Sequence, residues 1–253
     1  MNRQQRQPQN EIVSWYNDIP ICTKFLFTSF ILVTVIGSTI INPFYLLHIP
    51  QYTFYKLQIW RLYTSFFFYK LSLSGAFQLY FLYTYSREVE TTKFSGRTAD
   101  YVFFLLFEAL SILIIGWIFG LTLFNQSLVM AIIYIWSQHY REATVTFMFG
   151  LRFRGVFLPF VLLIFEILQA ANPVASLIGI FTGHVYHYLQ EIYPASGGTR
   201  FLNTPQWLYY WFPTNISSTG IQTSFGTILN PGRNVPRTES TSRHSWGRGN
   251  RLG

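Results

Sequence analysis

From Tyr101 to Leu123 the chain reads YVFFLLFEALSILIIGWIFGLTL, with one charged residue, Glu108. An apolar run of that length either crosses a bilayer or lies wholly inside a protein core. Composition separates the two. Of 253 residues, 50% are hydrophobic and only 11% are charged, against roughly a quarter charged in an ordinary soluble domain. Too few charges remain to coat a water-facing surface, so an integral membrane protein is the expected class.

Six apolar segments are expected to be helices, at about 22–41, 71–85, 101–123, 126–138, 155–169 and 173–190. None alternates with period two, and in lipid only helices or closed barrels satisfy the backbone. The second, fourth and fifth fall below the roughly 20 residues that cross a typical hydrocarbon core. Two readings of that shortness stand: a locally thinned bilayer, or helices with blurred ends in a thin endoplasmic reticulum membrane.

Basic residues set the expected orientation. Arg3 and Arg6 precede the first segment, Arg87, Lys93 and Arg97 follow the second, and Arg141, Arg152 and Arg154 follow the fourth. The connections around Asn125 and Asn172 carry no Lys or Arg. Both termini and the second and fourth connections should therefore face the cytosol. Asn215-Ile-Ser217 is then an unused cytosolic sequon, and Asn125-Gln-Ser127 lies too close to the membrane to be modified. The polar start, MNRQQRQPQN, has no secretory apolar core. The single cysteine, Cys22, excludes an internal disulfide, and the +8 formal charge comes without a basic folded module for nucleic acid.

The first connection, 42–70, is too polar and Pro-broken to span and too aromatic for a free loop. It is expected to lie at the lumenal interface as a partly helical element, with Lys56, Arg61 and Lys70 reaching up to headgroups. It holds Asn42-Pro43 and Trp60-Arg61. Trp-Arg at this place resembles the rhomboid superfamily, as does Gly179-x-x-x-Gly183 in the sixth segment, where small residues let helices approach closely. The resemblance stops short of catalysis. There is no Gly-x-Ser, and Ser176 stands three residues before Gly179, where the rhomboid base is a histidine. A hydroxyl does not take and return a proton near neutral pH as imidazole does.

The stretches FSGRTADYVFFLLF (94–107), FMFGLRFRGVFLPF (147–160), GHVYHYLQEIYP (183–194) and FLNTPQWLYYWFP (201–213) resemble the Derlin family, catalytically inactive rhomboid-like proteins. The resemblance implies a role in endoplasmic-reticulum-associated degradation, with no cofactor, moving misfolded lumenal or membrane proteins to the cytosol. Implied partners are the bilayer, a ubiquitin ligase complex, and other copies or other chains in an oligomer. The expected architecture is an all-α integral membrane protein, a six-transmembrane-helix rhomboid-like bundle. Its parts are a cytosolic segment 1–20, a membrane domain 21–192, a membrane-proximal segment 193–213 and a disordered cytosolic tail 214–253.

The tail's end, WGRGNRLG, resembles the SHP-type box that binds the AAA ATPase valosin-containing protein. Trp246 and Leu252 would anchor it, while Gly247 and Gly249 let an extended peptide lie close to a partner. The chain carries no Gly-x-x-x-x-Gly-Lys nucleotide loop, so mechanical work would come from that partner. Glu108 and Glu166 lie within apolar segments, where carboxyls are costly and often functional. They leave open a secondary transporter or channel as the alternative function; an active protease of another type is a third. His184 and His187 lie one turn apart, but lack the further ligands of a zinc site; helix packing is their expected role.

Overall fold

The computed structural model describes residues 11–146, 150–169, 172–199 and 201–212, together with 222–223 and 226–227. The chain divides into two compact units, 1–215 and 216–253. In the second, the described residues form only β3 (Gln222–Thr223) and β4 (Gly226–Thr227), paired antiparallel.

In the first unit, α1 (Glu11–Asn17) leads into α2 (Ile21–Thr39). The first connection follows as a 3₁₀ turn (Pro43–Tyr45), a π turn (51–55) and α3 (Trp60–Phe67). Next come α4 (Leu73–Glu88), α5 (Thr98–Ile118), α6 (Asn125–His139), α7 (Leu158–Leu168) and α8 (Val174–His187). The short α9 (Tyr193–Ala195) and α10 (Gln206–Trp211) complete the order. Helices thus occupy all six apolar segments. Among the described residues only α2 and α5 are long and apolar enough to cross a membrane. π turns prolong α4 through Lys93 and α8 through Ile192.

An unexpected element lies between α6 and α7. Strand β1 (Thr144–Thr146) pairs antiparallel with β2 (Arg152–Arg154), placing Val145 opposite Phe153. The inner pair packs against the core while the flanking threonines and arginines face out, which is the ordinary alternation of a half-buried hairpin. This pair and β3–β4 depart from a purely α-helical chain.

Helix α6 is the central column. Residues 127–137 are all buried, and α3, α4, α5, α7 and α8 all pack on it. Its closest neighbour is α8. A methyl group on Gly179 would lie 2.2 Å from the Ser127 carbonyl oxygen, and one on Gly183 would lie 3.2 Å from that of Ala131. Backbones so close gain dispersion contacts that bulkier residues would deny. By contrast α5 turns Leu106, Leu110, Ile114 and Trp117 outward, each at least half exposed. An apolar stripe of that kind suits lipid rather than water.

Polar groups tie the ends of the bundle. No side chain of its own caps the start of α2. Instead Glu90, 2% exposed, accepts the N–H groups of Cys22 (3.1 Å) and Thr23 (2.8 Å) and the Thr23 hydroxyl (2.8 Å). A carboxylate there satisfies orphan donors and meets the positive end of the helix dipole. Ser86 joins Thr23 to the Tyr101 hydroxyl, so α2, α4 and α5 share one buried polar node. Nearby, Asp100 holds Arg97 at 3.1 Å, the Thr204 hydroxyl at 2.7 Å and the Tyr209 hydroxyl, which fixes residues 201–212 to the start of α5.

The α6–α8 contact generates a rank order. Gly179→Ala meets main chain that cannot move alone and costs about 1–3 kcal/mol, whereas Gly183→Ala costs less. Thermal denaturation of the purified protein in detergent checks the order; equal midpoints for the two variants contradict it.

Candidate functional site

At the end of the bundle that carries the first connection, α4 and α7 lean on α6 and leave a cavity of about 310 Å³ between them. It reaches the surface beside Ser74 and Gln169, both exposed. Phe77 and Phe81 of α4, Met130 of α6, and Leu162 and Phe165 of α7 give it apolar walls. Polar groups interrupt them. The Gln126 amide donates to Glu166 and, at 3.1 Å, to the Ser176 hydroxyl, which donates to the other Glu166 oxygen at 2.5 Å. The Glu166 carboxyl, in an apolar helix, is thereby supplied with donors from α6 and α8.

Two further amide residues line the cavity. Gln78 of α4 is 7% exposed and Asn125 of α6 is 2% exposed. Neither Gln78 Nε2 nor Asn125 Nδ2 has a hydrogen-bond partner among the described residues. Burying a donor unpaired costs about 1–3 kcal/mol. The carbonyl end of Asn125 takes the N–H of Gln126 at 2.7 Å, which leaves the amino group directed elsewhere.

The first connection forms the rim rather than the wall. Asn42 accepts the Phe44 N–H at 3.0 Å and Pro43 begins the 3₁₀ turn, so Asn42-Pro43 is a capping pair. Arg61 is 1% exposed and does not reach toward headgroups, contrary to the expectation from charge alone. Its Nη1 donates to the carbonyls of Phe44 (2.6 Å) and Leu47 (2.8 Å), and its Nε to Gln58 (2.6 Å). The guanidinium also stacks near the rings of Phe44, Tyr45 and Tyr52. Local carbonyls and aromatic faces satisfy a planar cation without extending it into solvent. Lys56 and Lys70 are exposed, and Trp60 is 53% exposed.

The connection then docks on the α5–α6 link. The His48 N–H donates to Thr122 O and the Phe124 N–H to Ser65 O, both at 2.9 Å. Residues 121–123 line the cavity, so Arg61 braces one edge of it at second hand. Burial, and then the Arg61 charge, hold the His48 imidazole below its usual pKa.

The remaining sequence candidates fall elsewhere. Glu108 is fully buried within α5, with the Thr182 hydroxyl of α8 as its neighbouring hydrogen-bonding group. His184 Nδ1 meets the Tyr134 hydroxyl at 2.7 Å, and His187 lies 3.4 Å from Glu191. No group of three or more His, Cys, Asp or Glu suited to a metal occurs among the described residues. Trp246, Gly247, Gly249 and Leu252 lie outside the described residues. Asn125 was singled out from the sequence only as part of a sequon, and Gln78, Gln126 and Glu90 not at all; the only signal was an amide or carboxyl within or beside an apolar run.

Residues 19–206 match the family model described as the Der1-like family. Derlin-1 of Homo sapiens is 38% identical over 251 residues, covering 96% of this chain and 99% of the human protein. Derlin-1 of Drosophila melanogaster is 36% identical, covering 94% and 97% respectively. Derlin-2.1 of Zea mays is 36% identical over 78% of this chain and 84% of its own. The family model spans most of the sequence and these relatives align over most of their length; the chain belongs to the Der1-like family.

Proposed function

We propose that this chain is a non-catalytic component of endoplasmic-reticulum-associated degradation, seated in the endoplasmic reticulum membrane. It binds misfolded proteins, eases their passage to the cytosol, and recruits an AAA unfoldase through its C-terminal tail. The observation that carries this reading is the slot: a recess lined by amide and carboxyl groups as well as apolar ones, in a bundle that exposes an apolar stripe on α5. Polar groups at that depth are costly in lipid and offer a translocating chain an intermediate environment.

In this reading six helices cross the membrane within 21–192. Segments 1–20, 193–213 and the tail 214–253 face the cytosol, and the first connection faces the lumen. Helices α6 and α7, at 15 and 11 residues, fall well short of the roughly 20 that match a bilayer. The membrane thins around them and shortens the polar chain's path. The protein supplies no force itself. Trp246, Gly247, Gly249 and Leu252 capture valosin-containing protein, which pulls, and a ubiquitin ligase complex marks the emerging substrate. Asn42-Pro43 and Trp60-Arg61 hold the lumenal rim of the slot.

The Glu108 carboxyl, fully buried in α5, favours one alternative, a secondary transporter or channel with a protonatable site in its core. A Glu108→Gln variant retains turnover of a misfolded reporter if the degradation reading holds. Lost turnover, with ion flux through the unmutated protein in liposomes, favours the transporter.

Two outcomes test the mechanism at its ends. Removal of residues 242–253 abolishes co-purification of the AAA ATPase while leaving membrane insertion intact; equal capture with and without them refutes the tail assignment. Arg61→Ala frees two carbonyls in the first connection and stalls degradation of a misfolded lumenal reporter, measured by its half-life. Arg61→Lys does not restore it, because an ammonium cannot reproduce the planar fork, and Trp60→Ala is milder. An unchanged half-life in Arg61→Ala rules out a part for the rim.

A further inference from the structure

Helix α10 has two unlike faces. Leu208 is buried, and the Tyr209 hydroxyl reaches Asp100 near the start of α5, where Thr204 and Arg97 meet the same carboxylate. Trp207, Tyr210 and Trp211 stand at i, i+3 and i+4, the spacing that puts side chains on one helical face, and each is more than half exposed. No charged residue interrupts that stripe. We propose that the outward face of α10 is a membrane anchor, and that its occupant is the headgroup layer of the leaflet at which α5 begins. This rests on α5 crossing the bilayer, as given under Proposed function, and adds a lipid contact made by a segment outside the six spans.

Helix length sets the level of the anchor. The 21 residues of α5 extend about 31 Å at the helical rise, close to the roughly 30 Å of a hydrocarbon core. Asp100 lies in the first turn of α5, hence at the edge of that core. Thr204 and Tyr209 bind α10 to Asp100, so α10 lies at the same edge. The chemistry of the stripe selects the same layer. Trp and Tyr carry an apolar ring and a polar tip, and they concentrate at membrane–water interfaces. Mid-bilayer would strand the exposed amide of Gln206, and water would leave three large rings solvated side by side. Arg97, half exposed beside the same carboxylate, extends a cation toward headgroup phosphates at that level. Three side chains of a six-residue helix fall short by themselves of the roughly 800 Å² a side that a stable protein interface buries.

The test uses the full chain in phosphatidylcholine liposomes and reads tryptophan emission. Subtracting the spectrum of the variant Trp207→Phe with Trp211→Phe from that of the parent isolates the two α10 tryptophans. Lipid brominated near the carbonyls quenches this difference more than lipid brominated at mid-chain, and aqueous acrylamide quenches it least. Trp211→Phe alone gives the same order. Quenching chiefly by acrylamide puts the stripe in water. Stronger quenching at mid-chain puts it in the hydrocarbon. Quenching by none of the three puts it under protein, a second copy included. Each of these overturns the proposal. Trp117, near the far end of α5, separates the anchor from the span on which it rests. If the emission lost in Trp117→Phe resists both brominated lipids, the span falls. If that emission is quenched by lipid while the α10 pair is not, only the anchor falls.

Discussion

The close approach of α8 to α6 is the constraint on which the bundle depends. Between helices in lipid there is no hydrophobic drive of the aqueous kind, so contact area and main-chain proximity must hold them together. Gly179 and Gly183 let α8 lie against Ser127 and Ala131 of α6 at distances that would exclude even a methyl group at the first position. With one flank of α6 taken by α8, the other helices pack around what remains. Helices α4 and α7 both rest on the column, and the space between them becomes the slot. The cavity is thus a consequence of packing elsewhere: filling the glycine positions would displace the surface that floors it.

Three charged groups outside the slot follow one pattern. Glu90 closes the start of α2, Asp100 gathers Arg97, Thr204 and Tyr209, and Arg61 draws in two carbonyls of its own connection. Each of these charged groups is surrounded by complementary partners, as burial requires. Gln78 and Asn125 break the pattern, since each leaves one buried donor unmatched. Proteins rarely leave such groups unpaired, and two such residues lining one cavity set it apart from the satisfied nodes near the bundle's ends.

Apolar run length located the six helices well. Helix α4 ends three residues beyond its expected limit because polar Ser86, Arg87 and Glu88 continue the coil. Periodicity could not say which helices face lipid. Helices α5 and α6 are both apolar on most faces, yet one exposes a stripe and the other is buried throughout 127–137; only the packing partners decide. The hairpin was hidden because its strands are three residues long and lie in a polar connection. Arg61 was misjudged because a cation at an interface was assumed to seek water, when carbonyls 14 and 17 residues away were waiting for it. The slot's amides are separated by a long stretch of chain, and nothing local to either reveals that they share a wall.

The Glu90 node has a mechanical meaning. A hydrophobic helix that ends in plain loops can slide along its own axis until its apolar length sits level with the surrounding lipid. Helix α2 lacks that freedom: its first turn is bolted to a carboxylate carried by the turn after α4, and its Thr23 hydroxyl meets Ser86 of α4, which in turn meets the Tyr101 hydroxyl of α5. The three elements hold a fixed vertical register. When protein and bilayer disagree in height, the protein is the stiff member and the lipid is the one that yields.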